Sequence, residues 1–392
     1  MTATALLPRS KSEAPPRLYL PELDGLRFFA FLLVFLFHLG ARRGNLSALV
    51  GSTAARCFRE NGWVGVQLFF ILSGYLIVTL LLREEASYRE IDLRAFWVRR
   101  ILRIWPLFYL TVTLAFFVLP AFQGDFRSSG GGIQNVQRHF LWFALFLGNW
   151  SMAIQGPVTE DAQSILWSVC VEEQFYIVVP LLIALVPRMA RIPTVLGLMA
   201  LAVGSRAWLA YTGANQLMLQ YNTFAQFDTL LSGVLLALLL GTEPRMHLGL
   251  ARLLTWLQWP IYVLTLWVFS RSTLGHGEAW RRTWDFVAIW GVGVGLIAVA
   301  VVVPGWLRSA LSHPRLVRLG RISYGLYMFH EIGFWIRDRV GHFVGWFPYQ
   351  DVVYPIFALG VTVALASVSY DYFESRFLRL KRGWTRVPSR PE

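Results

Sequence analysis

Between residues 24 and 40 the chain reads DGLRFFAFLLVFLFHLG, an apolar stretch that nevertheless holds Asp24, Arg27 and His38. At about 100° per residue, positions 24 and 27 lie one helical turn apart and 27 and 38 three turns apart, so the three share one face. They form a polar stripe about 20 Å long. A charge near the centre of a bilayer costs roughly 2.5 to 3.5 kcal/mol on insertion scales, so such residues face a partner or a watery cavity and point to function. Imidazole takes up a proton near physiological pH, which makes His38 a candidate general base. Asp24 and Arg27 can pair with one another, and both an interfacial anchor and a functional pair fit that placement.

Three further clusters carry chemistry. RRILRIWP sets Arg99, Arg100 and Arg103 ahead of a proline at the start of an apolar run. Guanidinium forks match phosphate oxygens, so an inward-facing cluster there can hold a nucleotide-bearing donor; the same residues also suit orientation and anionic lipid. LWSVCVEEQFYIVVP puts Glu172 and Glu173 in the first turns of another run. Adjacent residues are about 100° apart, so one is expected to orient a histidine or receive its proton and the other to sit as a favourable negative charge at a helix N-terminus. In ISYGLYMFHEI, Ser323, Tyr327 and His330 fall at i, i+4 and i+7 on one face and suggest a lined cavity. Asp228 is a lone carboxylate whose expected role is pairing with a buried arginine, Arg206 being the nearest in sequence.

The elements that must position these residues are membrane spans. Of 392 residues 56% are apolar, with 17 Trp and 29 Phe, a composition foreign to soluble domains. Windows long enough to cross a bilayer give ten spans, at 26–41, 63–82, 103–122, 168–187, 194–212, 224–241, 253–270, 285–303, 322–345 and 354–375. The run at 139–152 is too short to cross and is expected to re-enter or lie in the interface. With ten spans and a cytoplasmic N-terminus, 23 of the 36 Lys and Arg fall in cytoplasmic segments and 9 outside. A crossing at 139–152 would place the tail RFLRLKRGWTR outside, against the positive-inside rule, so both termini are expected in the cytoplasm. The net charge of +13 then reflects orientation and lipid headgroups, not nucleic acid. The first run lacks a small-residue cleavage site and is expected to be a mature span. No metal-ligand spacing and no glycine-rich phosphate loop occurs, so no metal is expected. Cys57 and Cys170 both fall near the outer side, where a disulfide depends on a distance the sequence does not set. A multi-span transporter for a polar or anionic solute would share the midplane charges but predicts matching broken repeats, and no convincing pair is present.

DGLRFFAFLLVFLFH, VGVQLFFILSGYLI, RRILRIWP, LWSVCVEEQFY, QFDTLLSGVLLA, ISYGLYMFHEI and YDYFESRFLRL occur in an order and at a spacing that resembles the integral-membrane acyltransferase 3 family. The likeness spans residues 18–380, leaving 1–17 and the basic 381–392 as cytoplasmic tails. The family's Arg and His signature falls on Arg27 and His38, its basic motif on Arg100 and Arg103, and its paired glutamates on Glu172 and Glu173. Two positions depart from it: Gln226 stands where an arginine is expected, and Arg376 where a proline is common.

The resemblance implies an enzyme of the bacterial cytoplasmic membrane. It would move an acyl group, commonly acetyl, from cytoplasmic acyl-CoA to a hydroxyl of an extracytoplasmic carbohydrate or a glycosylated small molecule. Acyl-CoA is then a co-substrate and no cofactor is permanently bound. His38 would serve as base, with Arg27 between it and a donor mouth near Arg99, Arg100 and Arg103, while Asp24, Ser323, Tyr327 and His330 are candidate substrate- or donor-binding residues. Direct transfer and a covalent acyl-histidine relay both satisfy this chemistry. Acceptor identity, chain length of the acyl group and oligomeric state carry no recognisable code.

Overall fold

In a bilayer an apolar segment must satisfy its backbone amides internally, and the α-helix does so within one segment. The structure, a computed structural model, describes residues 19–41, 47, 50–123, 131–156, 158, 161–271, 279–345 and 349–387. Among them the regular elements are helices, with no strand. Ten are long: α1 Pro21–Ala41, α2 Val64–Tyr88, α3 Leu93–Thr113, α4 Trp167–Leu185, α5 Arg188–Tyr211, α6 Thr223–Leu240, α7 Leu248–Ser270, α8 Ala279–Val302, α9 Ser323–Val344 and α10 Gln350–Val368. Nine of the described helical segments are long and apolar enough to cross a membrane. The remaining long helix, α9, matches the expected span 322–345 but is more polar, because Glu331, Arg337, Asp338 and Arg339 interrupt it. The protein is an all-α, multi-pass membrane protein.

The short run at 139–152 forms no span. Helices Gly131–Ala144 and Gly148–Gln155 break at a turn where Phe146 adopts φ 57°. A bulky residue in that left-handed region must be held by its surroundings. Phe146 stacks on Phe108 at 4.4 Å and meets Trp105 and Tyr109 at 5.3 and 5.6 Å, while its carbonyl accepts from Gln174 Nε2 at 2.8 Å.

Close helix crossings rest on small residues, as expected where lipid offers no hydrophobic drive between helices. A methyl group on Gly74 of α2 would lie 2.1 Å from the Leu230 carbonyl oxygen of α6, and one on Gly233 of α6 would lie 2.1 Å from the Ile71 carbonyl oxygen of α2. The start of α1 is seated as tightly against Trp306–Leu311 and Pro314–Arg321: a methyl on Gly320 would fall 1.8 Å from the Asp24 carbonyl oxygen. Farther along α1, Phe35 stacks on Phe334 of α9 at 4.7 Å. These two contacts fix both ends of the polar stripe.

Two ion pairs tie α5 to its neighbours. Arg206 of α5 clasps Asp228 of α6 through Nη1–Oδ2 at 3.0 Å and Nη2–Oδ1 at 2.6 Å, with both side chains fully buried and the guanidinium 4.3 Å from the Phe286 ring. The expected arginine partner of Asp228 is therefore Arg206. Arg191 holds Glu85 bidentately at 2.8 and 2.9 Å. Removing one member of such a buried pair costs about 3 to 5 kcal/mol, because the other charge is stranded. Cys57 and Cys170 are free thiols, with Cys170 fully buried, so the pair forms no disulfide.

Candidate active site

Two cavities meet on the face of α1 that carries the polar stripe. The smaller, about 150 Å³, lies where α1 begins and is walled by Asp24 and Arg27, by Arg100 and Arg103 of α3, and by Glu172, Ser323 and Lys381. The larger, about 540 Å³, lies where α1 finishes and is walled by His38, Glu60, Gln67, Trp167, Tyr221 and Gln226, among others. Val66 and Tyr327 line both. The Tyr327 hydroxyl, which donates to the Ile165 carbonyl at 3.0 Å and lies 2.8 Å from Ser168 Oγ, is thus part of the partition.

His38 is 22% exposed to the larger cavity. Its Nδ1 lies 3.0 Å from the Val34 carbonyl oxygen and 3.3 Å from Nε2 of His330. A carbonyl only accepts, so Nδ1 carries the hydrogen and Nε2 is left with the lone pair. The same reasoning applies to His330, whose Nδ1 lies 2.6 Å from the Tyr327 carbonyl oxygen, leaving its Nε2 as a second, longer acceptor for the one His38 Nδ1 hydrogen that Val34 also receives. Glu331 Oε1 stands 3.4 Å from His330 Nε2 and 3.8 Å from His38 Nε2. A proton arriving at His38 therefore produces a cation beside a fully buried carboxylate, a short-range compensation that water would otherwise supply.

The sequence-predicted residues separate. Asp24 and Arg27, 3.8 Å apart, line the small cavity with Arg100, Arg103, Ser323 and Tyr327. Arg100 Nε is buried there without a hydrogen-bond partner. Arg99 is turned away from this cavity, paired with Glu84 at 2.9 Å and donating to the Trp384 carbonyl at 2.8 Å. Glu172 contacts Ser73 and Tyr176 in the small cavity, near Arg27 and Arg100, whereas Glu173 accepts from Trp105 Nε1 at 2.8 Å. The carboxylate set against His38 is thus Glu331, and His330, expected as a substrate- or donor-binding residue, is the imidazole that reaches His38. At the rim, the hydrogen bond from Arg321 to Tyr19, 3.0 Å long, raises the guanidinium pKa above its ordinary value.

Glu331 and Gln67 were not evident as site residues from spacing. The available signal was chemical: a glutamate beside a histidine within an apolar run, and a glutamine inside VGVQLFF. His38, His330 and Glu331 offer ligand-type atoms all within 4.8 Å of one another, although 292 residues separate the two histidines.

Residues 20–371 match the family model described as an acyltransferase domain. The chain belongs to this acyltransferase family. Among its relatives in the family, O-acetyltransferase OatA of Staphylococcus aureus strain NCTC 8325 is 27% identical over 380 residues, covering 91% of this chain and 57% of that protein. The Bacillus subtilis strain 168 protein named "Putative peptidoglycan O-acetyltransferase YrhL" is 29% identical over 379 residues, covering 91% and 54%. A Staphylococcus aureus strain COL protein named "Putative O-acetyltransferase SACOL0978" is 26% identical over 379 residues, covering 92% and 57%. The chain spans little more than half the length of these curated relatives. No solved structure matches it.

Proposed function

We propose that this membrane acyltransferase is an O-acyltransferase of the bacterial cytoplasmic membrane that moves an acyl group, in the first instance acetyl, from acyl-CoA to a hydroxyl of a carbohydrate or a glycosylated small molecule. The observation that carries the reading is His38: Nδ1 is held by a carbonyl and a second imidazole, and the lone-pair nitrogen belongs to a side chain lining the larger cavity. Family membership and the O-acetyltransferase names of its relatives support the reaction class.

Acyl-CoA carries phosphates, and the small cavity carries Arg27, Arg100, Arg103 and Lys381. Phosphate oxygens bound by guanidinium groups gain charge-assisted hydrogen bonds. The excess of basic residues in the segments at this end of the bundle supports a cytoplasmic donor mouth. The acceptor enters the larger cavity from the opposite side, and the thioester reaches it past Tyr327.

The acceptor hydroxyl gives its proton to His38 Nε2 as its oxygen bonds to the thioester carbonyl carbon. The carbon–sulfur bond then breaks, and the proton leaves with the CoA sulfur as a thiol. General-base help of this kind contributes roughly 10² to 10⁴ in rate. Glu331 offsets the charge on His38 while the proton resides there, and His330 keeps the base in the correct tautomer. Arg27, on the wall of the small cavity, steers the donor's polar portion; Glu172 offers hydrogen-bonding oxygens in the same cavity.

The test is acetyl-CoA binding by the purified full chain, followed by release of free CoA thiol with a panel of sugars and polyketide alcohols. Acceptor-dependent thiol release is the expected result. A chain that binds no acyl-CoA overturns the reading and favours transport of an anionic solute.

A further inference from the structure

The larger cavity contains a chain of amides with one end unmet. Gln226 is fully buried and its Nε2 donates to the Gln220 carbonyl at 2.6 Å. That carbonyl can only accept, which fixes the orientation of the Gln226 amide and turns its Oε1 toward Gln67. Gln67 Nε2 donates to this oxygen at 3.1 Å. Gln67 Oε1 is therefore the free terminus: it is buried, has no hydrogen-bond partner, and belongs to a side chain 1% exposed in the cavity wall.

Glu60, on the same wall, also has a buried oxygen, Oε2, without a partner. A buried polar atom left unpaired costs about 1 to 3 kcal/mol. Both unmet atoms are acceptors, so the occupant of the cavity has to bring hydrogen-bond donors. The wall beside them carries Trp63, Trp167 and Tyr221, the last two in edge contact at 5.1 Å, and these offer flat apolar surfaces to a ring. The charges on the wall balance, Arg206 being paired with Asp228 and Arg59 standing beside Glu60, so no net charge draws an ammonium group and a neutral hydroxyl is the donor that fits.

We propose that Gln67 is an acceptor-recognition residue that binds a second hydroxyl of a neutral, ring-shaped polyol while another hydroxyl is acylated at His38. This rests on the O-acyltransferase reading and narrows it. The acceptor carries at least two hydroxyls, and discrimination against an analogue lacking the second resides in one amide oxygen. The glutamine at position 226 keeps that oxygen oriented without placing a charge beside it.

The experiment measures acetyl transfer by the full chain to neutral methyl glycosides and to their singly deoxygenated analogues, for the wild type and for Gln67→Met. Methionine keeps the length of the side chain and removes the acceptor oxygen. In the wild type, removal of one particular hydroxyl other than the acylated one should lower kcat/KM roughly 10- to 10²-fold. In Gln67→Met that ratio should fall to near one. A wild type that hydrolyses acetyl-CoA yet acetylates no glycoside, or treats every deoxy analogue alike, overturns the assignment without need of the variant. An unchanged ratio in the variant overturns it as well. A wild type that neither binds nor hydrolyses acetyl-CoA overturns the acyltransferase reading itself, which is a separate outcome.

Discussion

The cavity at the beginning of α1 and the cavity at its end are built from opposite kinds of side chain. The first gathers the ionisable side chains Arg27, Arg100, Arg103 and Lys381 beside Asp24 and Glu172. The second is dominated by amides and aromatic rings, Gln67, Gln216, Gln220, Gln226, Trp63, Trp167 and Tyr221, and its buried Arg206 is neutralised by Asp228. On the proposed reading, charge selects a polyanion on one side, while unmet hydrogen-bond acceptors select hydroxyls on the other. A single helix links the two, with Arg27 facing one cavity and His38 the other, eleven residues or about three turns apart. Two substrates of different polarity can then approach the same base without sharing an entrance.

That contrast is broken most severely at its junction. Replacing His38 by alanine should lower acetyl transfer roughly 10² to 10⁴-fold while acetyl-CoA still binds, since the cation cluster is untouched; equilibrium binding of labelled acetyl-CoA beside a transfer assay reads both quantities. Next in size, Arg100→Ala combined with Arg103→Ala should raise the KM for acetyl-CoA about 10²-fold, given that a hydrogen bond to a charged group contributes about 1.5 to 3 kcal/mol, and should leave the KM for the acceptor unchanged. A smaller effect is expected for Glu331→Gln, which keeps the shape and removes the compensating charge. Its kcat should fall about 10-fold with both KM values retained, the pattern of an interaction made mainly in the transition state. A rise in KM for acetyl-CoA in Glu331→Gln would instead assign the residue to the donor side.

The spans were legible in the sequence because their signal is local. Apolar windows marked all ten long helices, nine of them apolar enough to cross a membrane and the tenth, α9, made more polar by Glu331 and Arg337. The stripe on α1 was legible for the same reason, since helical periodicity alone puts Asp24, Arg27 and His38 on one face. Which side chain completes His38 was not, because it depends on how α1 and α9 cross. The Phe35–Phe334 stack and the packing that brings His330 within 3.3 Å of His38 join residues about three hundred positions apart, and no spacing rule reaches that far. Glu172 and Glu173 carried a visible motif but not their orientation. Adjacent positions on a helix diverge by about 100°, and here one turns toward Ser73 and Tyr176 and the other toward Trp105. Arg99 illustrates the same limit: its neighbour Arg100 lines the cavity, while Arg99 is spent on Glu84.

The central claim is that donor and acceptor reach His38 from opposite faces of the membrane. It is tested most directly in sealed proteoliposomes holding the full chain in one known orientation. Labelled acetyl-CoA is supplied on the side of the Arg100 and Arg103 cavity, and an acetylatable methyl glycoside on the other side or on the same side. The account predicts labelled glycoside only when the two substrates are on opposite sides. Product formed only with both on the same side would contradict it.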